Sequence, residues 1–145
     1  MIRDYQRSAC YAWEDRHIHP NDTGTVPFEQ AQAIVDYVWR TAGLAYPPKI
    51  RPLARTARTF QATATRLWIS IPEAGIKSTV LLHEIAHSMT SDAMGVEQSH
   101  HHGPRFVGVF MRLLCDHIPT FSLDALAAAA KNEAVDFNFD GPIHN

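Results

Sequence analysis

The sequence predicts one α+β domain covering residues 1–145, with a small, mostly antiparallel sheet packed on a central helix and further helices around it. Three observations lead there. Apolar residues recur at helical spacing in several separate segments, and a Thr-, Ile- and Trp-rich extended stretch lies between two of them. No internal repeat or linker-like tract divides the 145 residues, a length that suits a single core.

Residues 1–19 fit a short helix or a strand equally well, with Tyr5, Ala9, Tyr11 and Trp13 as the apolar or aromatic positions. Pro20-Asn21-Asp22-Thr23-Gly24 reads as a loop. Pro27 near a first helical turn, then Phe28, Ala31, Ile34, Val35, Val38 and Trp39, predict an amphipathic helix of about four turns, stopped by Gly43.

From Ile50 to Ile71 the chain reads as extended, in the stretches Arg51–Arg55, Thr56–Phe60 and Arg66–Ile71. Gln61-Ala62-Thr63-Ala64 is the expected hairpin turn, and Pro52 points to an edge strand or a strand start. After Pro72 a helix is expected from about Gly75 to Thr90, with Ile76, Val80, Leu82, Ile85, Ala86 and Met89 on its apolar side. Ser91 to His102 reads as loop. Pro104 opens a helix to about His117, packed through Phe106, Val107, Phe110, Leu113 and Leu114. Ser122 caps a last helix reaching about Glu133, and the alternation in Val135–Phe139 suggests a short strand.

Composition narrows the function classes. The chain is 46% hydrophobic and 19% charged, with a net charge of −2. That balance gives no general basic field for nucleic acid, although a local patch is compatible with it. Residues Met1 to Arg7 carry charges where a signal peptide needs an apolar stretch, and no run approaches the roughly 18 residues of a membrane span. Cys10 and Cys115 lack Cys-x-x-Cys spacing and are expected to be free thiols. The expected compartment is the cytoplasm.

The chemistry concentrates in His83-Glu84-Ile85-Ala86-His87. Residues four apart share a helix face, so His83 and His87 point two imidazoles at one place, a spacing suited to Zn2+. Glu84 lies beside that line, where it can take a proton from a water made acidic by the metal. With nine His in the chain, a shuffled sequence would contain such a pentad in roughly 2% of cases. Here it also sits inside an apolar-periodic helix, a rigid support for a metal site.

A catalytic zinc needs a third protein ligand and one open position. A third His spaced by x-x-Gly-x-x is absent, since Thr90 and Ala93 stand at those places. His102, held between a Gly103-Pro104 turn and the next helix, is the best-placed donor; Glu97, His100, His101 and Asp92 are its rivals. Tyr5, Tyr11 and Arg105 are candidates to donate a hydrogen bond to a reaction oxyanion, with core packing the default for both tyrosines. Arg51, Arg55, Arg58 and Arg66 are read first as solvated strand charges, and second as a substrate or nucleic-acid patch. Cys115 is expected in the core, and His117 at a helix C-terminus, serving the dipole or exposed.

The run Leu82-His83-Glu84-Ile85-Ala86-His87, followed by His102-Gly103-Pro104-Arg105-Phe106 at the start of a Phe-, Val- and Leu-rich helix, resembles the SprT-like zinc metallopeptidases. The similarity covers roughly residues 26–118 and includes the preceding helix–strand–strand order. It implies His83, His87 and His102 as zinc ligands and Glu84 as the catalytic base. It also implies a zincin-type domain whose sheet edge lies above the active-site helix and pairs with an extended peptide substrate. The chain departs from the pattern by lacking the C-terminal four-cysteine zinc ribbon, which argues against DNA-directed targeting.

The resulting expectation is a zinc-dependent peptidase. Its alternatives are a non-catalytic zinc-stabilised binding module and a nucleic-acid-associated protein using the Arg-rich strand region.

Overall fold

Helix α3, Ser78–Thr90, is buried at nearly every position, its polar side chains His83, Glu84, His87 and Ser88 included. The computed structural model describes residues 4–54, 62–91 and 102–143. In chain order these form α1 (Arg7–His17), a single 3-10 turn at His19–Asn21, β1 (Thr25–Val26), α2 (Phe28–Thr41), β2 (Lys49–Pro52), β3 (Thr63–Ala64) and β4 (Trp68–Ile71). There follow β5 (Ile76–Lys77), α3, α4 (Pro104–His117) and α5 (Leu123–Asn132). The architecture is mixed α+β, with five α-helices and two small sheets among the described residues.

The larger sheet runs β2-β4-β3. β4 is central, and its Ile69 and Ile71 are fully buried. β3 pairs with it antiparallel, while β2 pairs parallel, in the register Ile50 to Ile69. The second sheet is β1 antiparallel to β5, so two of the three strand pairs are antiparallel. Among the described residues β2 lies on a sheet edge, and Pro52 ends it there, where a missing N–H is tolerated.

Several expected boundaries move. Residues 7–17 form a helix, which buries Cys10 and Trp13; the Trp13 indole donates to the carbonyl of Leu126 at 3.3 Å and ties α1 to α5. Thr63 and Ala64 are strand, not turn. The reversal falls at Thr65–Leu67, where the Thr65 hydroxyl accepts from the amides of Leu67 and Trp68 and competes with the ladder. The expected strand Thr56–Phe60 lies outside the described residues.

Ile76 and Lys77 belong to β5, so α3 starts at Ser78. Asp22 explains that start. Its carboxylate accepts from the Thr79 amide at 2.8 Å and from the hydroxyls of Thr79 and Ser78, satisfying donors that a helix N-terminus leaves open. The Asp22 carboxyl is itself buried in part, which opposes ionisation, but the hydrogen bonds from Thr79, Gly24 and Ser78 outweigh this and hold its pKa below the usual value.

Helices α2, α4 and α5 match their expected limits closely. Gly43 follows α2 with φ +79°, and the Ser122 hydroxyl caps α5 by accepting from the Ala125 amide. The tail is not a strand. Asn138 donates to the carbonyl of Pro104 at 3.1 Å, and its own carbonyl crosses α4 at Gly108, so close that a Cβ there would lie 1.6 Å from the oxygen. The Asp136 amide and carbonyl bond to the Gln6 side chain, and residues 135–139 pair with no strand among the described residues. Among the described residues, no helix is long and apolar enough to cross a membrane.

Candidate metal centre

The α3 register places His83 and His87 one turn apart, with ring centroids 4.7 Å apart. The Ser88 hydroxyl donates to the carbonyl of Arg66 at 3.1 Å, fixing that end of α3 against the β3–β4 turn. The third imidazole arrives from the start of α4. His102 stands two residues ahead of Pro104, the first residue of α4, with Gly103 as the N-cap. One ligand atom from each of His83, His87 and His102 can be chosen so that all three lie within 4.8 Å of one another. The Nε2 atoms of His87 and His102 are 3.2 Å apart. Two nitrogens at zinc–nitrogen distance on a tetrahedral ion stand about 3.3–3.4 Å apart. All three side chains are buried.

The ring of Phe106, in the first turn of α4, contacts all three. It stacks on His87 at 4.2 Å and 18° and meets His83 and His102 edge-on at 5.0 and 5.2 Å. An apolar plate behind three imidazoles limits their rotation and keeps water from that side.

The second ring nitrogens of His83 and His102 face carboxylates. His83 Nδ1 is 2.5 Å from Glu14 Oε1, and His102 Nδ1 is 2.6 Å from Asp4 Oδ2. Both carboxylates come from α1 and the residues just before it. Burial works to lower the pKa of His83, but the charge and hydrogen bond of Glu14, with Glu84, outweigh it and raise the value. For His102 burial prevails, aided by the charge of His83 and opposed by Asp4, and the pKa falls.

Glu84 is 6% exposed. Burial pushes its carboxyl up to about 7, against the pull of His83 and with a further push from Glu14. A divalent cation nearby would act the other way and favour the ionised form.

Glu84 and His83 line a cleft of about 490 Å3, together with Arg7, Tyr11, Glu14 and Val80. Tyr11 lies parallel to the His83 ring, 6.5 Å away, and is 40% exposed. It is therefore a wall of the cleft and not core. Tyr5 is exposed and its hydroxyl donates to Asp136, while Arg105 lines a separate, smaller hollow beside Ile143. Of the three oxyanion-donor candidates, only Tyr11 is brought to the metal-binding side chains.

Glu97, His100, His101 and Asp92 lie outside the described residues, as do Arg55 and Arg58. Arg66 is not a solvated strand charge. It is buried, with its guanidinium 4.7 Å from the Trp39 ring. Arg51 lies over Trp68 at 5.0 Å and donates to the Ser70 hydroxyl. Both cysteines are free, Cys10 buried and Cys115 half-buried at the edge of the core. His117 closes α4 with its ring edge-on to Tyr37.

Sequence reasoning missed Glu14 and Asp4. The only available signal was spacing: Asp4, Arg7, Tyr11 and Glu14 follow one another at intervals of three or four, the period of one helix face. That signal becomes readable only once the segment is known to be helical.

The fold and the side chains together define a mixed α+β protein with a buried three-histidine cluster able to hold a metal ion. Compared with protein-family models, with curated proteins and with solved structures, the chain matches none.

Proposed function

We propose that this protein is a zinc-dependent hydrolase acting on peptide bonds, with a zincin-like arrangement similar to that of SprT-like metallopeptidases. One observation carries the reading: three buried imidazoles converge while Glu84, on the same helix turn, shares an open cleft with His83. A structural metal site closes its coordination with protein ligands and has no use for a neighbouring base.

His83, His87 and His102 would hold the ion, and their all-nitrogen donor set suits zinc. When bound, zinc supplies the Lewis acidity that makes water nucleophilic near neutral pH. Glu84 then accepts the proton of the attacking water and returns it to the leaving amine nitrogen. Tyr11, which lines the same cleft, would donate a hydrogen bond to the carbonyl oxygen as charge develops on it. Phe106 and the surrounding apolar side chains keep bulk water off the back of the imidazoles.

The preference for peptides rests on the sheet. Among the described residues β3 is an edge strand; it packs near α3, and Ala62 beside it lines the cleft. An extended chain can pair with such an edge while its backbone passes the site.

The test compares zinc-loaded wild type with Glu84→Gln on a quenched-fluorescence peptide library. The expected result is equal zinc content and a loss of cleavage of about 10²- to 10⁴-fold in the variant. Zinc uptake by the wild type with no cleavage of any peptide would assign the protein to the non-catalytic binding modules. Four protein ligands around the ion would have the same meaning.

A further inference from the structure

We propose that Glu14 and Asp4 are positioning residues of the metal centre, which hold His83 and His102 with Nδ1 protonated and Nε2 turned toward the ion. This rests on the three-histidine reading above and adds an outer set of groups to it.

A neutral imidazole carries one proton and offers one lone pair, so the partner of one nitrogen decides which nitrogen can bind a metal. Glu14 Oε1 lies 2.5 Å from His83 Nδ1, and Asp4 Oδ2 lies 2.6 Å from His102 Nδ1. Each contact places the proton on Nδ1 and frees Nε2. The Asp4 carboxylate reaches the backbone of the same residue as well, with the His102 amide donating to Oδ1 at 3.3 Å. Ring and main chain of His102 are thus held by one group, and its ring cannot flip without losing a hydrogen bond to a charged acceptor.

The environment of Glu14 argues against a role in helix docking alone. Its side chain is 1% exposed, and a carboxylate is costly to bury unless compensated. Among the described residues no Lys or Arg forms an ion pair with it. Its neighbours are His83 Nδ1, His19 Nε2 at 3.6 Å and the Cys10 thiol at 3.6 Å. The strongest compensation available is therefore an imidazole N–H, and that N–H is more acidic and more strongly attracted when a cation sits on the far nitrogen. Docking of α1 is already served by Trp13 in the core and by the Arg16–Glu133 ion pair. Two ligands, one on α3 and one just ahead of α4, are each backed by a carboxylate from the same short segment, residues 4–14. That convergence has no purpose in packing and a direct one in orienting donors.

The experiment uses Glu14→Gln and Asp4→Asn in the full chain. Zinc affinity is measured by competition with a chromophoric chelator, and imidazole N–H resonances by NMR on the zinc-loaded protein. Thermal melting of the metal-free proteins checks folding. In the wild type, His83 and His102 should each show a strongly downfield Nδ1–H signal. Each substitution should move the signal of its own histidine upfield and weaken zinc binding about 10- to 100-fold, with little change in metal-free melting.

Folded variants that bind zinc within twofold of the wild type would overturn the proposal, as would zinc found on Nδ1 of either histidine. Should Glu14→Gln fail to fold, Asp4→Asn at the more exposed position decides by the same criteria. A wild type that takes up no zinc would overturn the metal centre itself and this proposal with it. Unaffected variants beside a zinc-binding wild type would overturn this proposal alone.

Discussion

Phe106 lies almost parallel to His87, with ring centroids 4.2 Å apart and an interplanar angle of 18°. The contact joins α4 to the metal-binding face of α3, and the same ring touches His83 and His102 edge-on. Phe106→Ala should cost about 3–5 kcal/mol, a large part of a typical domain's stability. Phe106→Leu retains most of the volume and should fold, yet it removes the flat surface that limits ring rotation. Its expected effect is weaker zinc binding with only a small fall in melting temperature, measured by chelator competition and thermal denaturation.

Asp22 holds the start of α3 from outside the helix. Asp22→Ala should destabilise the protein by about 1 kcal/mol, the usual cost of losing a capping acceptor. The effect should depend on pH in a defined direction. The folded-state pKa is lowered, so the charged form contributes stability above the unfolded-state value of about 4. That contribution is lost as pH falls through the folded-state pKa. Urea unfolding of wild type and Asp22→Asn across pH 2–7, a range chosen to span about 4, should show a gap that closes at the acid end. A gap that widens there would contradict the assignment.

Gly108 permits the tail to cross α4, since a Cβ would collide with the Asn138 carbonyl at 1.6 Å. A backbone oxygen cannot rotate away like a side-chain tip. Gly108→Ala should therefore displace the segment around Asn138, at a cost of about 1–3 kcal/mol despite the better helix propensity of alanine. Hydrogen exchange should speed up at the Asn138 amide, which donates to Pro104, while the α3 amides change little.

Tyr11 shares the cleft with Glu84 and covers His83. Under the proposed peptidase reading, Tyr11→Phe should leave zinc affinity near that of the wild type and lower kcat by about 10²-fold, the scale of one lost oxyanion donor. A rise in KM with kcat preserved would make Tyr11 a substrate-binding wall instead.

Much of the scaffold could be read from local sequence. The helical period located α2, α4 and α5 closely, because each buries one apolar face and carries its own stop or start signals at Gly43, Pro104 and Ser122. The start of α3 was misjudged by about a turn, because Ile76 is buried equally well by strand β5. The parallel pairing of β2 with β4 was also hidden, since a parallel register is set by contacts across the chain and leaves no turn signature.

The metal centre divides along the same line. Local sequence determined that His83, Glu84 and His87 occupy one helix turn, because a helix repeats every 3.6 residues whatever surrounds it. It also singled out His102 by the Gly103-Pro104 turn that leads into α4. Tertiary structure alone decided that Glu14 meets His83 across 69 positions, that Asp4 meets His102 across 98, and that Tyr11 walls the cleft. Those contacts come from docking α1 through Trp13, and docking is a sum of many weak burials spread over the whole fold, which no short stretch of sequence records.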